Sequence, residues 1–312
     1  MENVIIEKPA FGKSVILGYI AAILAAALFG SISTVAKPTL SNINPLLLSS
    51  FVYLLASLTL TPIAHSKKNN PVTSIDRKNW LLILAIATSG AIIAPSLFFI
   101  GLVDSKASDT AILSNAEVIF TVLIAITFFK EKFKPIGYLA IALVISGTII
   151  VTANLDFSSL SLPDFGKNKG NLLILASMAF WAVDNNLSKL ASEKIMVPRL
   201  VQLKGLIGGS VLLLFVVLGG LPNNIAFENL PNVLLLGIGG VGASLFFFLH
   251  SLKRIGTVRT MLIYSTSSIF GLFFAAIFLK ENIGTYQIIA VSIMLFGIYL
   301  VENTGQKNPK QA

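Results

Sequence analysis

The chain has no cysteine and only two histidines. That excludes a disulfide framework, thiolate metal sites, cysteine nucleophiles and a histidine-rich metal cluster. Charge is equally scarce: 12% of the 312 residues are Asp, Glu, Lys or Arg, and 55% are apolar, against about 25% and 45–50% in soluble globular proteins. A water-soluble surface cannot be built from so little charge, so the composition specifies an integral membrane protein. The net charge of +9 would suggest nucleic acid as a partner in a soluble chain. Here loop lysines that orient membrane helices account for it, and no nucleic-acid partner is expected.

What is abundant is long apolar sequence. A helix needs about 20 apolar residues to cross the hydrocarbon core, and ten such stretches are present, at 14–36, 44–64, 79–101, 109–129, 135–154, 170–191, 200–221, 231–250, 258–279 and 284–302. The predicted fold class is therefore all-α integral membrane, with ten transmembrane helices. Pro45, Pro135 and Pro231 open three spans, where the missing N–H costs nothing; Pro38 closes the first and Pro95 should bend the third. The first span follows Lys8 and Lys13 and contains an A-x-A pattern at Ala25 and Ala27, but its apolar run reaches Ala36, about twice the length of a signal h-region. It is expected to be a retained helix.

With both termini placed in the cytoplasm, the outside loops hold Lys37, Lys106, Lys167, Lys169 and Lys280, and the other 18 of the 23 Lys and Arg residues fall inside. That bias satisfies the positive-inside rule and predicts a multi-pass protein of the cell (inner) membrane with both termini cytoplasmic.

The chain repeats itself. A shift of 150 lays 79–152 on 229–302 without a gap, matching Gly90 to Gly240, Phe98 to Phe248, Phe120 to Phe270, Gly147 to Gly297 and the pair Lys130-Glu131 to Lys280-Glu281. A shift of 152 aligns the first span with the sixth: Gly18 with Gly170, Phe29 with Trp181, Lys37 with Lys189. Five spans per repeat is an odd number, so the second copy enters the membrane from the opposite side. The expected organisation is two inverted five-helix repeats, 14–154 and 170–302, between tails at 1–13 and 303–312.

Leu28-Phe29-Gly30 with Lys37, Phe180-Trp181-Ala182 with Lys189, and two copies of F-x-K-E at a helix end resemble the two EamA repeats of the drug/metabolite transporter superfamily, ten-helix branch. The resemblance covers about 14–302 and implies the fold and secondary transport, but no substrate. Where that family usually carries Gly-Glu, this chain has Lys130-Glu131 and Lys280-Glu281.

Charges inside the spans mark the candidate site, because an ionised side chain at the bilayer centre costs about 2.5–3.5 kcal/mol and must face a partner or a wet cavity. Glu117 in the fourth span and Asp184 in the sixth are the two. Thr110, Ser114, Glu117 and Thr121 share one helical face, and their repeat mates Thr260, Tyr264, Ser267 and Gly271 form a second polar or small face. In the sixth span Trp181, Asn185 and Lys189 lie on one flank beside Asp184 and Ser188. Substrate-binding or coupling residues are accordingly Ser114, Glu117, Trp181, Asp184, Asn185, Tyr264 and Ser267, with protons as the candidate coupling partner. The structural alternatives are interhelical hydrogen bonding for the stripes, mutual neutralisation for Asp184 and Lys189, and snorkelling for Lys37 and Lys189. His65 and His250 sit at span ends and suit interfacial roles.

The string Gly237-Ile238-Gly239-Gly240-Val241-Gly242 matches G-x-G-x-x-G but lies within an apolar span rather than after a strand, so close helix packing explains it, as it does Gly205, Gly208 and Gly209. No P-loop is present, which disfavours ATP-driven pumping. The expectation is a secondary transporter, not an enzyme, that exports a small amphipathic metabolite such as an amino acid by alternating access, without cofactor or metal, as a monomer or homodimer. The rival is a membrane enzyme acting on a lipid-soluble substrate; it would need a H-E-x-x-H or G-x-S-x-G constellation that the sequence lacks.

Overall fold

The computed structural model describes residues 13–65, 76–129, 135–152 and 169–304, which are helical apart from short turns. Lys130, Glu131 and most of both tails lie outside the described residues. Among the described residues there are ten helices: α1 Lys13–Thr39, α2 Pro45–Ala64, α3 Arg77–Asp104, α4 in two pieces (Ala107–Leu113 and Ala116–Phe129), α5 Pro135–Thr152, α6 Lys169–Ser192, α7 Val197–Leu218, α8 Phe227–Ile255, α9 in two pieces (Thr257–Ser265 and Ser267–Phe278) and α10 Thr285–Thr304. Eight are long and apolar enough to cross a membrane on their own composition. The exceptions are α10, whose apolar part, Thr285–Leu300, is short, and α6, diluted by Asn171, Asp184, Asn185, Asn186 and Lys189.

Local chemistry sets the ends. Asn44 Oδ1 accepts from the amides of Leu46 and Leu47 to start α2, and Asp76 caps Asn79 in α3. The start of α4 is capped from the other half of the chain: Glu281 accepts from the amides of Ala107 at 2.9 Å and Ser108 at 3.0 Å. Orphan N–H groups and the positive end of the helix make a carboxylate the natural partner there. Lys37 does the complementary job at the end of α3, donating to the carbonyls of Leu102 and Val103 at 2.9 and 2.8 Å. It is a cap, more specific than a snorkelling anchor.

Lys280, beside that cap, has φ 56°, a left-handed conformation that glycine enters without strain and a side chain does not. This is the position where the resemblance leads one to expect glycine. Lys280→Gly should therefore raise stability by about 1 kcal/mol, read as a higher unfolding midpoint in detergent; an unchanged or lower midpoint contradicts the strain.

The dominant helix pairs are α2 with α7, α5 with α10, α1 with α8 and α9, and α6 with α3 and α4. All of them cross between the sequence repeats, and adding five to the helices of the first repeat returns the same set. Single contacts obey the same exchange. Gly147 packs on Met294 and Ala290 while Gly297 packs on Val144 and Ala140. Ser177 donates to the Ala94 carbonyl at 2.8 Å, and Ser244 donates to the Ala25 carbonyl at 2.9 Å, the same contact with donor and acceptor interchanged. Both α3 and α8 contain a π-helical segment at matching places, Thr88–Ile93 and Leu235–Ala243. In α3 it runs into Pro95, whose missing N–H releases the helical register, so the expected bend takes the form of a π-bulge. The glycines of α7 and α8 pack as expected: Gly205 on Ser57, Gly237 on Leu55 and Gly242 on Thr59.

The exchange fails most between α4 and α9. The first piece of α4 packs against the second piece of α9. The related pair, the first piece of α9 and the second piece of α4, makes no comparable contact. The bundle is closed between α4 and α9 at one end and parted at the other, which is the end where α1 begins and α10 finishes.

Candidate functional site

The parting leads into a cavity of about 210 Å³ that continues into a second chamber of about 500 Å³. Ser114, Glu117, Asn185, Tyr264 and Ser267 border both chambers; Trp181 and Asp184 border the first. All seven candidate residues thus lie on one continuous space. The polar stripes line it only in part. Thr110 is fully buried and bonds back to Lys106, Thr260 bonds to Ser251, and Gly271 packs on Ala111. Thr260 and Gly271 hold helices together, Thr110 bonds within its own helix, and the inner members Ser114, Glu117, Thr121, Tyr264 and Ser267 face the cavity.

Helix breaks place the inner members. The turn at Ser114-Asn115 restarts α4 at Ala116, so Glu117 occupies the first turn of a new helix, where the dipole favours a carboxylate. Asn185 donates to Glu117 Oε1 at 2.6 Å, and Asn186, from the same helix, donates to the Thr121 carbonyl at 3.1 Å. The α9 break at Thr266 likewise starts a new helix at Ser267. At the floor Asn115 donates to Ser268 at 3.0 Å, both buried, tying α4 to α9.

Asp184 is 2% exposed. It is held in a slot made by the π-bulge of α3, because a Cβ at Gly90 would overlap its carboxylate. At the symmetry-related position Gly240 makes room for Ile32, the repeat mate of Asp184. One carboxylate oxygen accepts from Ser188 at 3.0 Å and the other forms a salt bridge with Lys204. This corrects the proposed neutralisation by Lys189: five residues along a helix turn Lys189 well away from Asp184, whereas Lys204 approaches from α7.

Lys204 is the residue that sequence reasoning missed. Counted among the inside loop charges, it lies within the second turn of the helix Val197–Leu218 and lines the cavity. Its position four residues inside the expected span 200–221 was the available signal. Tyr53 is a second omission. Its hydroxyl and the Trp181 Nε1 both donate to the Gly90 carbonyl at 3.0 Å, the acceptor that the π-bulge exposes. Asp109 is a third buried carboxylate, but it lies at the closed end, held by Gln287 and Tyr286 rather than facing the cavity.

The apolar walls come in two related pairs. Phe98 and Trp181 meet at 5.4 Å between centroids on one side. Their repeat mates Phe248 and Phe29 both pack on Tyr264 on the other side, at 4.9 and 5.2 Å. A space with aromatic walls, one ion pair and one further carboxylate suits a small molecule that has both an apolar body and charge. His65 is outside it, hydrogen-bonded to Arg199 at the helix ends. Among the described residues no cluster of metal-ligating side chains occurs.

A sequence model of the EamA-like transporter family matches residues 16–153 and again 168–302. An uncharacterized transporter of Methanothermobacter thermautotrophicus is 30% identical over 300 residues, covering 93% of this chain and 87% of the relative. The uncharacterized transporter YcxC of Bacillus subtilis is 25% identical over 297 residues, covering 90% and 91%. A protein of known crystal structure superposes with a TM-score of 0.64 at 16% identity, covering 92% of this chain and 95% of its own, a likeness of fold.

Proposed function

The chain belongs to the EamA-like transporter family, and from that premise we propose that it is a secondary carrier exporting a small amphipathic metabolite, such as an amino acid, by alternating access coupled to protons. The observation that carries this reading is the largest failure of the two-fold exchange: α4 and α9 meet at one end and part at the other. Exchanging the conformations of the two repeats, 14–154 and 170–302, closes the parted end and opens the closed one around the same cavity. The bias of Lys and Arg supports a cytoplasmic side for the parted end and for both termini, although Lys204 moves from the loops to the membrane interior.

In this reading Trp181, Tyr264 and the paired phenylalanines hold the apolar body. Asp184, Asn185, Ser114 and Ser267 supply polar contacts, and Glu117 exchanges a proton. The test is counterflow into vesicles reconstituted with the full-length protein and preloaded with each of a panel of unlabelled L-amino acids. A transient accumulation of the matching radiolabelled amino acid, absent from protein-free vesicles, is expected for at least one apolar member. Failure of every member removes the amino-acid reading, and counterflow of other amphipathic metabolites then decides whether the broader class survives.

A further inference from the structure

We propose that Lys204 is the carboxylate-recognition residue of the carrier, switching from Asp184 to the substrate's carboxylate when the cavity fills; this rests on the amino-acid reading above. The two members of the ion pair are held very differently. Asp184 is 2% exposed, wedged against Gly90 and fixed by Ser188. Lys204 is 16% exposed on its side chain, borders the cavity and reaches Asp184 at the end of a flexible four-carbon stem. An ammonium has three N–H donors, and among the described residues Asp184 is its one hydrogen-bond partner. Donors are therefore left for an acceptor arriving in the cavity. Asp184 holds the cation in place while the site is empty, which limits the penalty of a lone buried charge.

Glu117 provides the other pole. It borders the same cavity, with Oε1 engaged by Asn185 and, among the described residues, Oε2 left over for a donor, and it lies within electrostatic reach of both Asp184 and Lys204. A zwitterion matches this array: carboxylate toward Lys204, ammonium toward Glu117, side chain between the aromatic walls. A simple amine finds the acid and the aromatic faces but nothing for Lys204 to hold. Lys204 thus selects α-amino acids over amines of the same shape.

Trp181 lines the site, and the chain has one other tryptophan, Trp80, 41% exposed near the start of α3. In a Trp80→Phe parent, fluorescence of Trp181 reports binding without requiring transport. The probes are leucine, valine, methionine and phenylalanine, each against the amine with the same side chain and no carboxylate. The parent should bind at least one amino acid about 10- to 100-fold more tightly than its amine, the range for a charge-assisted hydrogen bond. Lys204→Met should remove that preference by weakening the amino acid and sparing the amine.

Because Lys204→Met strands a buried carboxylate, the double variant Lys204→Met with Asp184→Asn is measured beside it. It restores neutrality and should show the same lost preference. An amine that binds the parent as well as its amino acid, or a preference that survives in the double variant, overturns the role of Lys204 while leaving transport intact. A parent that binds none of the eight probes overturns the amino-acid reading and the role of Lys204 together.

Discussion

Joining position 115 to position 268 should stop transport. Asn115→Cys and Ser268→Cys, bridged by a short bifunctional thiol reagent, tether α4 to α9 where Asn115 donates to Ser268 in a buried contact and where Ala111 packs on Gly271 just beyond. The opposite conformation requires these surfaces to separate. Bridged protein in vesicles is expected to fall to background counterflow and to recover when the bridge is reduced. Trp181 fluorescence should still report ligand reaching the cavity from the terminal end. The chain contains no cysteine, so the reagent has no competing target. The repeat mates of the two positions are Ser265 and Val118. Cysteines there should bridge only in the opposite state, and substrate or a proton gradient should change their bridging rate. Bridged 115–268 protein that still transports at the parental rate would show that the end between these helices is not the gate.

The second large effect is expected at Glu117. It stands in the first turn of the restarted α4, accepts from Asn185, and borders both chambers. Such a carboxyl can exchange a proton with whichever side the cavity faces. Glu117→Gln keeps the size and the hydrogen-bonding capacity while removing titration. The variant should be inserted normally, lose accumulation driven by a pH gradient, and retain exchange of substrate for substrate. The readout is uptake into vesicles with an imposed pH difference, set against counterflow at equal pH. Unchanged gradient-driven accumulation makes Glu117 a packing residue and passes coupling to Asp184, whose Asn variant is then the one to measure.

The helices were readable because their signals are local. Apolar length, proline at N-termini and one-sided charge need no knowledge of neighbours, and the gapless repeat supplied the symmetry. That Glu117, Asp184 and Asn185 line the cavity was legible because charge and amide groups are conspicuous in apolar spans, and Ser114, Trp181, Tyr264 and Ser267 followed from helical spacing and the repeat. What escaped depended on partners distant in sequence. Lys204 was assigned to a loop because a lysine four residues from the start of a span looks interfacial until α6 presents Asp184 to it. Spacing alone also could not divide the polar stripes, since Thr110 and Glu117 share a helical face but lie on opposite sides of a break in the helix. The π-bulges had only Pro95 and the glycine run as signals, and both have other uses. The cap of α4 by Glu281 joins residues 173 and 174 positions apart, which a repeat comparison can suggest but not locate.

The bulge in α3 also divides labour between the two aromatic walls. Trp181 and Tyr53 are both tethered to the carbonyl of Gly90, and a main-chain acceptor survives every side-chain substitution at its own position. The indole's placement is thus inherited from the backbone. Its counterpart Phe29 has no polar atom to offer, and among the described residues its aromatic contact is ring packing on Tyr264. One wall is an anvil and the other is free to re-fit. In the proposed carrier, changes in the shape of the accepted molecule are therefore expected on the side of Phe29, where no main-chain hydrogen bond fixes the ring, while the charged groups keep their register.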